Sequence, residues 1–586
     1  MATQRWQAKD FQGFTPAVES RRSNQIYAVG GKNFLFDSIG PKSIFGEDLL
    51  TPIGLVDARW IQGARLKLRG GDRVFYFVPT GIIEWDEVQG NWRVLWITEN
   101  TGETPYRWTW GYLNEWVFFC HPAIGVLAYN PFSGVIQTHN PEGFPADPLA
   151  ICVTNGRLCI IDPVFFTFSN PSDGFSFDPQ LGGAGLYKIS DSVAGFPTMV
   201  TSYPGGALTW TTGGVMRSEF TGDQLVFRHR PVNTEYRLVN SFCSVKIDDN
   251  TCVILDERGL FQSRGEAPTP WTPLFNEFFI EYARRLKLRI GENVRLEWDE
   301  LQRHLYVSIS QSFENPIYEY AFVLYPSLDK WGILNRSHFG IFPGRIEQSL
   351  REGDYYGFAG DDARIRFWRD SGYREIQPDD TTVDLWVPEI EWPVQPTAEG
   401  RILSSAYSPT SIDSPHPLGR AGWYPPGSGP SAVPAPPGMA GLDAKLVVGL
   451  LRFDDLQGSN DEMTEVTQLA IGSVLTGEID PDQTDWNLPP SGTADEDWGV
   501  ELGQEDWGIE PINFTDHGVR VIGSVDGRTS FVSEVPSLVL TQQGIRYFSC
   551  SVTGVWHLLE LSAIEPGQRF HLQSFELTAT YAGKLN

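Results

Sequence analysis

The stretches Gly81-Ile-Ile-Glu-Trp-Asp-Glu-Val-Gln-Gly-Asn-Trp92 and Gly125-Val-Leu-Ala-Tyr-Asn-Pro-Phe-Ser-Gly-Val-Ile136 follow one plan. A glycine opens each, apolar residues and an aromatic follow, a polar turn reverses the chain, and an apolar or aromatic residue resumes. Val, Ile and aromatics suit a pleated, half-buried surface, and Asn-Pro or Ser-Gly suit a reversal, so each reads as strand, turn, strand. The plan returns in Gly185-Leu-Tyr-Lys-Ile-Ser190 and in Ala321-Phe-Val-Leu-Tyr-Pro-Ser-Leu-Asp-Lys-Trp331. Short strands are predicted between these units, around residues 66–68, 74–78, 116–120, 157–161, 251–255, 303–310, 355–359 and 365–368. Hairpins recurring about every 40 to 50 residues are the mark of a β-propeller with four-stranded blades. No strict WD or kelch signature is present, so the blades are degenerate, and an array of sandwiches is the rival architecture.

Composition agrees with an all-β chain. Its 586 residues are 41% hydrophobic and 13% aromatic, enough for a buried core, and 59 Gly with 41 Pro leave almost no room for long helices. One helix is expected over Trp271–Arg289, where Leu274, Phe275, Phe278, Phe279, Tyr282, Leu286 and Ile290 recur near a 3.6 period. Arg284, Arg285, Lys287 and Arg289 crowd its C-terminal end, which suits the helix dipole. Pro409–Gly441 is too rich in Pro, Gly and Ser for a ladder or a helix. Beyond it, alternating stretches near 442–455, 466–475, 519–524, 546–551, 555–561 and 570–581 predict a β-sandwich. The expected division is an N-terminal arm (1–25), a propeller body (26–400), a Pro/Gly-rich linker or loop (401–441) and a C-terminal β domain (442–586). That last domain carries an acidic insertion at 478–510.

The formal charge of −28, from 73 acidic and 45 basic residues, argues against a protein that grips nucleic acid by neutralising phosphates. From Ala440 onward there are 23 acidic and 7 basic residues, a net of −16. The first 439 residues therefore hold 50 acidic and 38 basic, a net of −12. Cys120, Cys152, Cys159, Cys243, Cys252 and Cys550 form no disulfide framework or zinc knuckle, and read as small buried hydrophobes in a chain made in a reducing cytoplasm. Neither a signal peptide nor a run of 18 apolar residues occurs, so no membrane span is expected.

Patterns that carry chemistry are scarce. There is no Gly-x-Ser-x-Gly elbow, HExxH, phosphate-binding loop or dinucleotide fingerprint, and the nine histidines are scattered. Asp248-Asp249, Asp361-Asp362 and Asp379-Asp380 sit where Asp accepts backbone hydrogen bonds in turns. Ser172-Asp-Gly-Phe-Ser-Phe177 is a faint echo of the aspartate box of sialidase propellers, without its expected Asp and Trp positions. Glu478–Glu510 holds 11 acidic residues with no Lys or Arg, and a near-repeat of Glu-Asp-Trp-Gly ending at Gly499 and Gly508. Asp480, Asp482 and Asp485 could offer oxygens to Ca²⁺, but the spacing fits no EF-hand, and a solvated acidic loop is the simpler reading. No catalytic, cofactor-binding or metal residue is assigned, no cofactor is expected, and the chain is read as a non-enzyme.

Phe165-Phe-Thr-Phe-Ser-Asn-Pro-Ser-Asp-Gly-Phe-Ser-Phe177 resembles a segment of the tail nozzle proteins of short-tailed bacteriophages. So do Gly206–Phe220 followed by Val253-Ile-Leu-Asp-Glu-Arg-Gly-Leu-Phe261, then Val447-Val-Gly-Leu-Leu-Arg-Phe-Asp-Asp455, and the closing Phe570–Lys584. The similarity covers most of Ile26–Trp368 and Leu442–Lys584, through short motifs of a structural kind. It implies a propeller-bearing virion protein of the tail hub, made in the host cytoplasm and assembled as a hexameric ring below the portal and adaptor. It also implies contacts to tail fibre or needle proteins, and a channel through which double-stranded DNA passes without sequence readout. An alternative is a carbohydrate-binding or carbohydrate-cleaving propeller, receptor-binding or sialidase-like, which requires an exposed aromatic cluster beside a carboxylate pair. A third reading is a monomeric scaffold propeller that binds peptides.

Overall fold

In the computed structural model the described residues are most of 26–49 and 62–369, the segments 3–8 and 11–14, and strands between 444 and 584. The longest stretches outside the description are 15–25, 51–61, 370–443 and 474–516, with shorter gaps between strands. The Pro-rich segment, the acidic insertion and the pairs Asp361-Asp362 and Asp379-Asp380 therefore lie outside the described residues.

Among the described residues, seven antiparallel sheets follow one another, their first strands beginning at Gln62, Thr109, Ala150, Pro197, Ser244, Val294 and His338. Blades 1 to 5 each add three further strands by simple reversals. In blade 2, Thr109–Leu113 pairs with Trp116–His121, that with Gly125–Asn130, and that with Val135–Thr138. The two quoted hairpins are thus the third and fourth strands of blades 1 and 2. Blade 7 takes three strands from His338–Arg345, Asp354–Gly360 and Ile365–Arg369, and its fourth from Gly46–Leu49, before blade 1. The first strand of blade 7 lies against that of blade 1. A ring of blades closed by a strand from the opposite end of the body is a β-propeller, here with seven blades.

Aromatic side chains fill the spaces between blades. Phe75, Phe77, Trp108, Phe119 and Tyr129 form the core between blades 1 and 2, with the rings of Phe77 and Phe119 at 5.5 Å edge to face. Each such ring, fully withdrawn from water, contributes about 1.5–3 kcal/mol. The helix occupies Pro273–Leu286 in the connection from blade 5 to blade 6, inside the expected range. Its first turn has no cap from Thr272; instead the carboxylate of Asp329 accepts from the backbone N–H of Leu274 and Phe275 at 2.7 and 3.1 Å.

The remaining strands form a sandwich. One sheet orders Thr3–Ala8, Leu572–Lys584, Glu462–Ser473 and Gly544–Gly554; the other orders Phe11–Phe14, Ile26–Lys32, Ala444–Leu451, Trp556–Ala563, His517–Ser524 and Ser530–Leu538. Val466, Leu469, Ile471, Phe575 and Leu577 from the first share a core with Leu446, Val448, Val521, Leu559 and Leu561 from the second. Residues 1–25, read as an arm, thus supply two strands here, and Ile26–Lys32, read as propeller, supplies a third. The boundary lies at Asn33, whose φ of +54° turns the chain toward the propeller. Alternation of side chains reveals a strand and says nothing about which sheet accepts it, so the sequence division goes astray at this point.

The two domains meet at Phe34–Phe36 and Pro41–Ser43, which extend the sheet of blade 6 to six strands. Ser43 donates its backbone N–H to the carbonyl of Phe570 at 2.9 Å, and a Cβ on Gly40 would lie 2.1 Å from the carbonyl oxygen of Leu572. Only glycine permits that approach.

Candidate functional site at the propeller axis

Four strands running up and down from the axis outward bring every blade-to-blade connection to one face. On that face Arg107, two residues before blade 2, reaches the first strand of blade 6, which is not a neighbouring blade. Its guanidinium donates to the carbonyl of Leu296 at 2.5 Å and pairs with the Glu297 carboxylate at 3.4 Å. Its backbone N–H donates to the hydroxyl of Ser241, on the approach to blade 5, at 2.8 Å. Arg295 pairs with the same carboxylate. The Phe242 ring lies under both cations, 5.5 Å from Arg107 and 4.7 Å from Arg295.

Such contacts between non-adjacent blades can form only across the axis. Arg295 is 0% exposed, Glu297 5% and Arg107 7%, so the cluster is a plug and not a solvated rim. Gln62, at the start of blade 1, adds a reciprocal pair with the backbone of Trp108 at 2.8 and 3.0 Å. Burial pushes the Tyr318 phenol up to about 12, against the nearby positive charge of Arg295. Two cations share one carboxylate and stack on an aromatic, a group with a net positive charge whose ion pairs and hydrogen bonds fix blades 2, 5 and 6 to one another.

The sequence candidates fall elsewhere and are not brought together. Asp173 is exposed in the loop between the third and fourth strands of blade 3 and accepts from the backbone N–H of Phe175 at 2.8 Å. Asp248 does the same for Asn250 at 2.7 Å. Asp480, Asp482 and Asp485 lie outside the described residues. Imidazole and hydroxyl meet at Ser308–His338 and Thr464–His557, with every member at 0–1% exposure, and at Ser218–His229, 2.9 Å apart, where the serine is fully buried and the imidazole half-buried. Desolvation holds His121, His139, His229, His304 and His557 down to about 4. Among the described residues no group of three His, Cys, Asp or Glu could hold a metal, and the six cysteines are free. Exposed aromatics Phe132, Phe196, Tyr547 and Tyr581 sit on separate elements. Arg107, Ser241, Arg295 and Glu297 carry no motif in sequence, because their meeting depends on blades 190 residues apart.

No protein-family model and no curated protein sequence matches the chain. Among solved structures it is similar to the extracellular domain of the hybrid two-component system BT3049 of B. thetaiotaomicron, at 11% identity and a TM-score of 0.34, over 58% of this chain and 45% of that one. It is similar to YCF48 bound to D1 peptide at 10% identity and a TM-score of 0.33, over 56% and 99%. A chain of the mitotic checkpoint complex matches at 11% and 0.36, over 56% and 92%. The propeller assignment rests on this chain's own seven blades and their closing strand. No helix among the described residues is long and apolar enough to cross a membrane.

Proposed function

We propose that the chain is a structural subunit of the tail nozzle of a short-tailed bacteriophage. Copies form a hexameric ring below the portal and adaptor, and the ring retains packaged DNA and lets it pass on ejection. The observation that carries this reading is where the nozzle-like segments fall. Phe165–Phe177 covers the third strand of blade 3 and the loop after it, while Gly206–Phe220 and Val253–Phe261 cover the middle strands of blades 4 and 5. Residues 447–451 of the next segment and Leu572–Lys584 of the last fall on strands of the two facing sandwich sheets, and residues 452–455 lie outside the described residues. The resembling segments therefore coincide with strands in both domains.

The axial plug adds a constraint. Arg107, Glu297 and Arg295 close the connection face of each propeller, so a DNA path runs between copies and not through one. A chain carrying −28 favours passage over adhesion, since each phosphate contact adds salt-dependent affinity. The test combines imaging of the native assembly with duplex binding at about 50 mM salt. A ring with an opening wide enough for a duplex, and weak binding, are expected. Tight, salt-sensitive binding by the unmodified protein overturns the passive channel. Changing Asp495, Glu496 and Asp497 to Lys should create adhesion and slow ejection at low salt.

A further inference from the structure

The connection face is electrically lopsided. Around blade 3 it carries Glu142, Asp147 and Asp191, all exposed, and half-exposed Asp162, against one exposed cation there, Lys188. Two apolar side chains stand among them. Val164 is 44% and Leu186 62% exposed; the ladder sets Val164 beside Ile189, which donates its backbone N–H to the Val164 carbonyl at 3.0 Å, and Leu186 opposite Thr167, so the two stand three residues apart along one edge. The strand that carries Leu186, Gly185–Lys188, is the outermost of its blade and leaves one edge unpaired within the sheet.

Between blades 5 and 6 the sign reverses. The end of helix Pro273–Leu286 and the residues after it expose Arg284, Lys287 and Arg289 around Leu286, itself 43% exposed. Glu292 pairs with Arg289 at 3.4 Å and offsets part of that charge, while Glu277 and Glu281 lie further back along the helix. The two patches are about a third of a turn apart around the propeller. They differ in sign, and each surrounds exposed aliphatic surface.

We infer that these patches are the two halves of a head-to-tail contact between copies of this chain: the Val164–Leu186 edge of blade 3 on one copy receives the Leu286 end of the helix on the next. A contact that joins unlike patches repeats from copy to copy. Because the patches are less than half a turn apart, successive copies turn away from a straight line, and a ring forms where that rotation returns to its start. Opposite charges around an apolar centre give both encounter and register. The inference rests on the ring reading above and supplies the faces that would build it.

Two full-length variants test it, compared with the parent by native mass measurement and sedimentation. One carries Leu186→Lys with Asp191→Lys, the other Arg284→Glu with Arg289→Glu; all four side chains are exposed, and melting curves report that the fold is retained. Each variant alone should need at least about tenfold more protein to assemble. Mixed one to one, the two should assemble again, since each supplies the charge the other has lost. Assembly of both variants as readily as the parent overturns the contact and leaves the ring reading intact. Failure of the mixture to recover also overturns it. Parent assemblies that the variants disrupt and the mixture restores, but that lack a duplex-wide opening, support the contact and sink the nozzle reading.

Discussion

Blade 2 and the sandwich sheet containing Leu572–Lys584 are both four-stranded and antiparallel, yet they are assembled in opposite ways. In blade 2 every pairing joins consecutive strands, as Thr109 with Cys120 and Leu127 with Thr138. In the sandwich sheet Thr3 pairs with Thr580, and Thr464 with both Gly554 and Tyr581. The first is built from local reversals whose loop-closure entropy is small; the second closes separations that run from 71 residues, Ser473 to Gly544, to 577, Thr3 to Thr580. Contacts that cross long separations should therefore govern stability wherever they are charged and buried, and matter little where they only bridge solvent.

The largest effect is expected at the axial plug. Glu297→Ala leaves Arg107 and Arg295 facing each other in a buried site, at a cost of about 3–5 kcal/mol by denaturant unfolding. Thr464→Val, which removes the neutral hydrogen bonds of one hydroxyl to His557 and to the Gly554 carbonyl in the sandwich, should cost about 1–2 kcal/mol. Equal losses would break the comparison.

A middle-sized effect concerns pH. His121, His139, His229 and His304 belong to the propeller sheets and connections, and His557 to the sandwich, all held down to about 4 by burial. Their folded values lie below the unfolded value near 6.5. The stability they contribute is complete above pH 6.5 and is lost as pH falls toward 4. At the junction, burial opposes the charge on Asp37, but the hydrogen bond and charge of His571, with Lys42, hold its carboxyl well below the usual range. Its contribution is present above pH 4 and is lost only in stronger acid. Between pH 7 and 4.5, hydrogen-exchange protection relative to the intrinsic rate at each pH should fall in blades 2 to 4 before it does in the sandwich. A uniform fall would contradict the assignment.

The smallest effect is expected from replacing residues 478–510 by a short Gly-Ser linker. Loop length enters stability only logarithmically, so the sandwich should melt within about 1 kcal/mol of the parent. Loss of its cooperative transition would show that this segment belongs to the domain's fold.

Legibility in the sequence follows the same division. The third-to-fourth-strand hairpins of blades 1, 2 and 6 are visible because strand, turn and strand sit within a dozen residues. The helix is visible from its period, though its cap, Asp329, lies 55 positions from Leu274 and is not. Gly46–Leu49 is too short to announce itself, and nothing local says that it completes a blade begun at His338. Thr3–Ala8 alternates too weakly to be told from an arm. The axial cluster was illegible for a stronger reason: Arg107 in Tyr106-Arg-Trp-Thr-Trp110 looks like any surface arginine until blade 6 is placed opposite it.

The strand Thr3–Ala8 pairs with Leu572–Lys584, so the order of synthesis sets a delay into the fold. At roughly 5–20 residues per second, the intervening stretch takes about half a minute to two minutes to emerge from the ribosome. The propeller can close within that interval, because Gly46–Leu49 finds Ile365–Arg369 much earlier. Throughout it, the first strand has open edges and no partner in its own sheet. Its sequence, Thr-Gln-Arg-Trp-Gln-Ala, is polar and carries a cation, a composition that discourages edge-to-edge pairing with a neighbouring nascent chain.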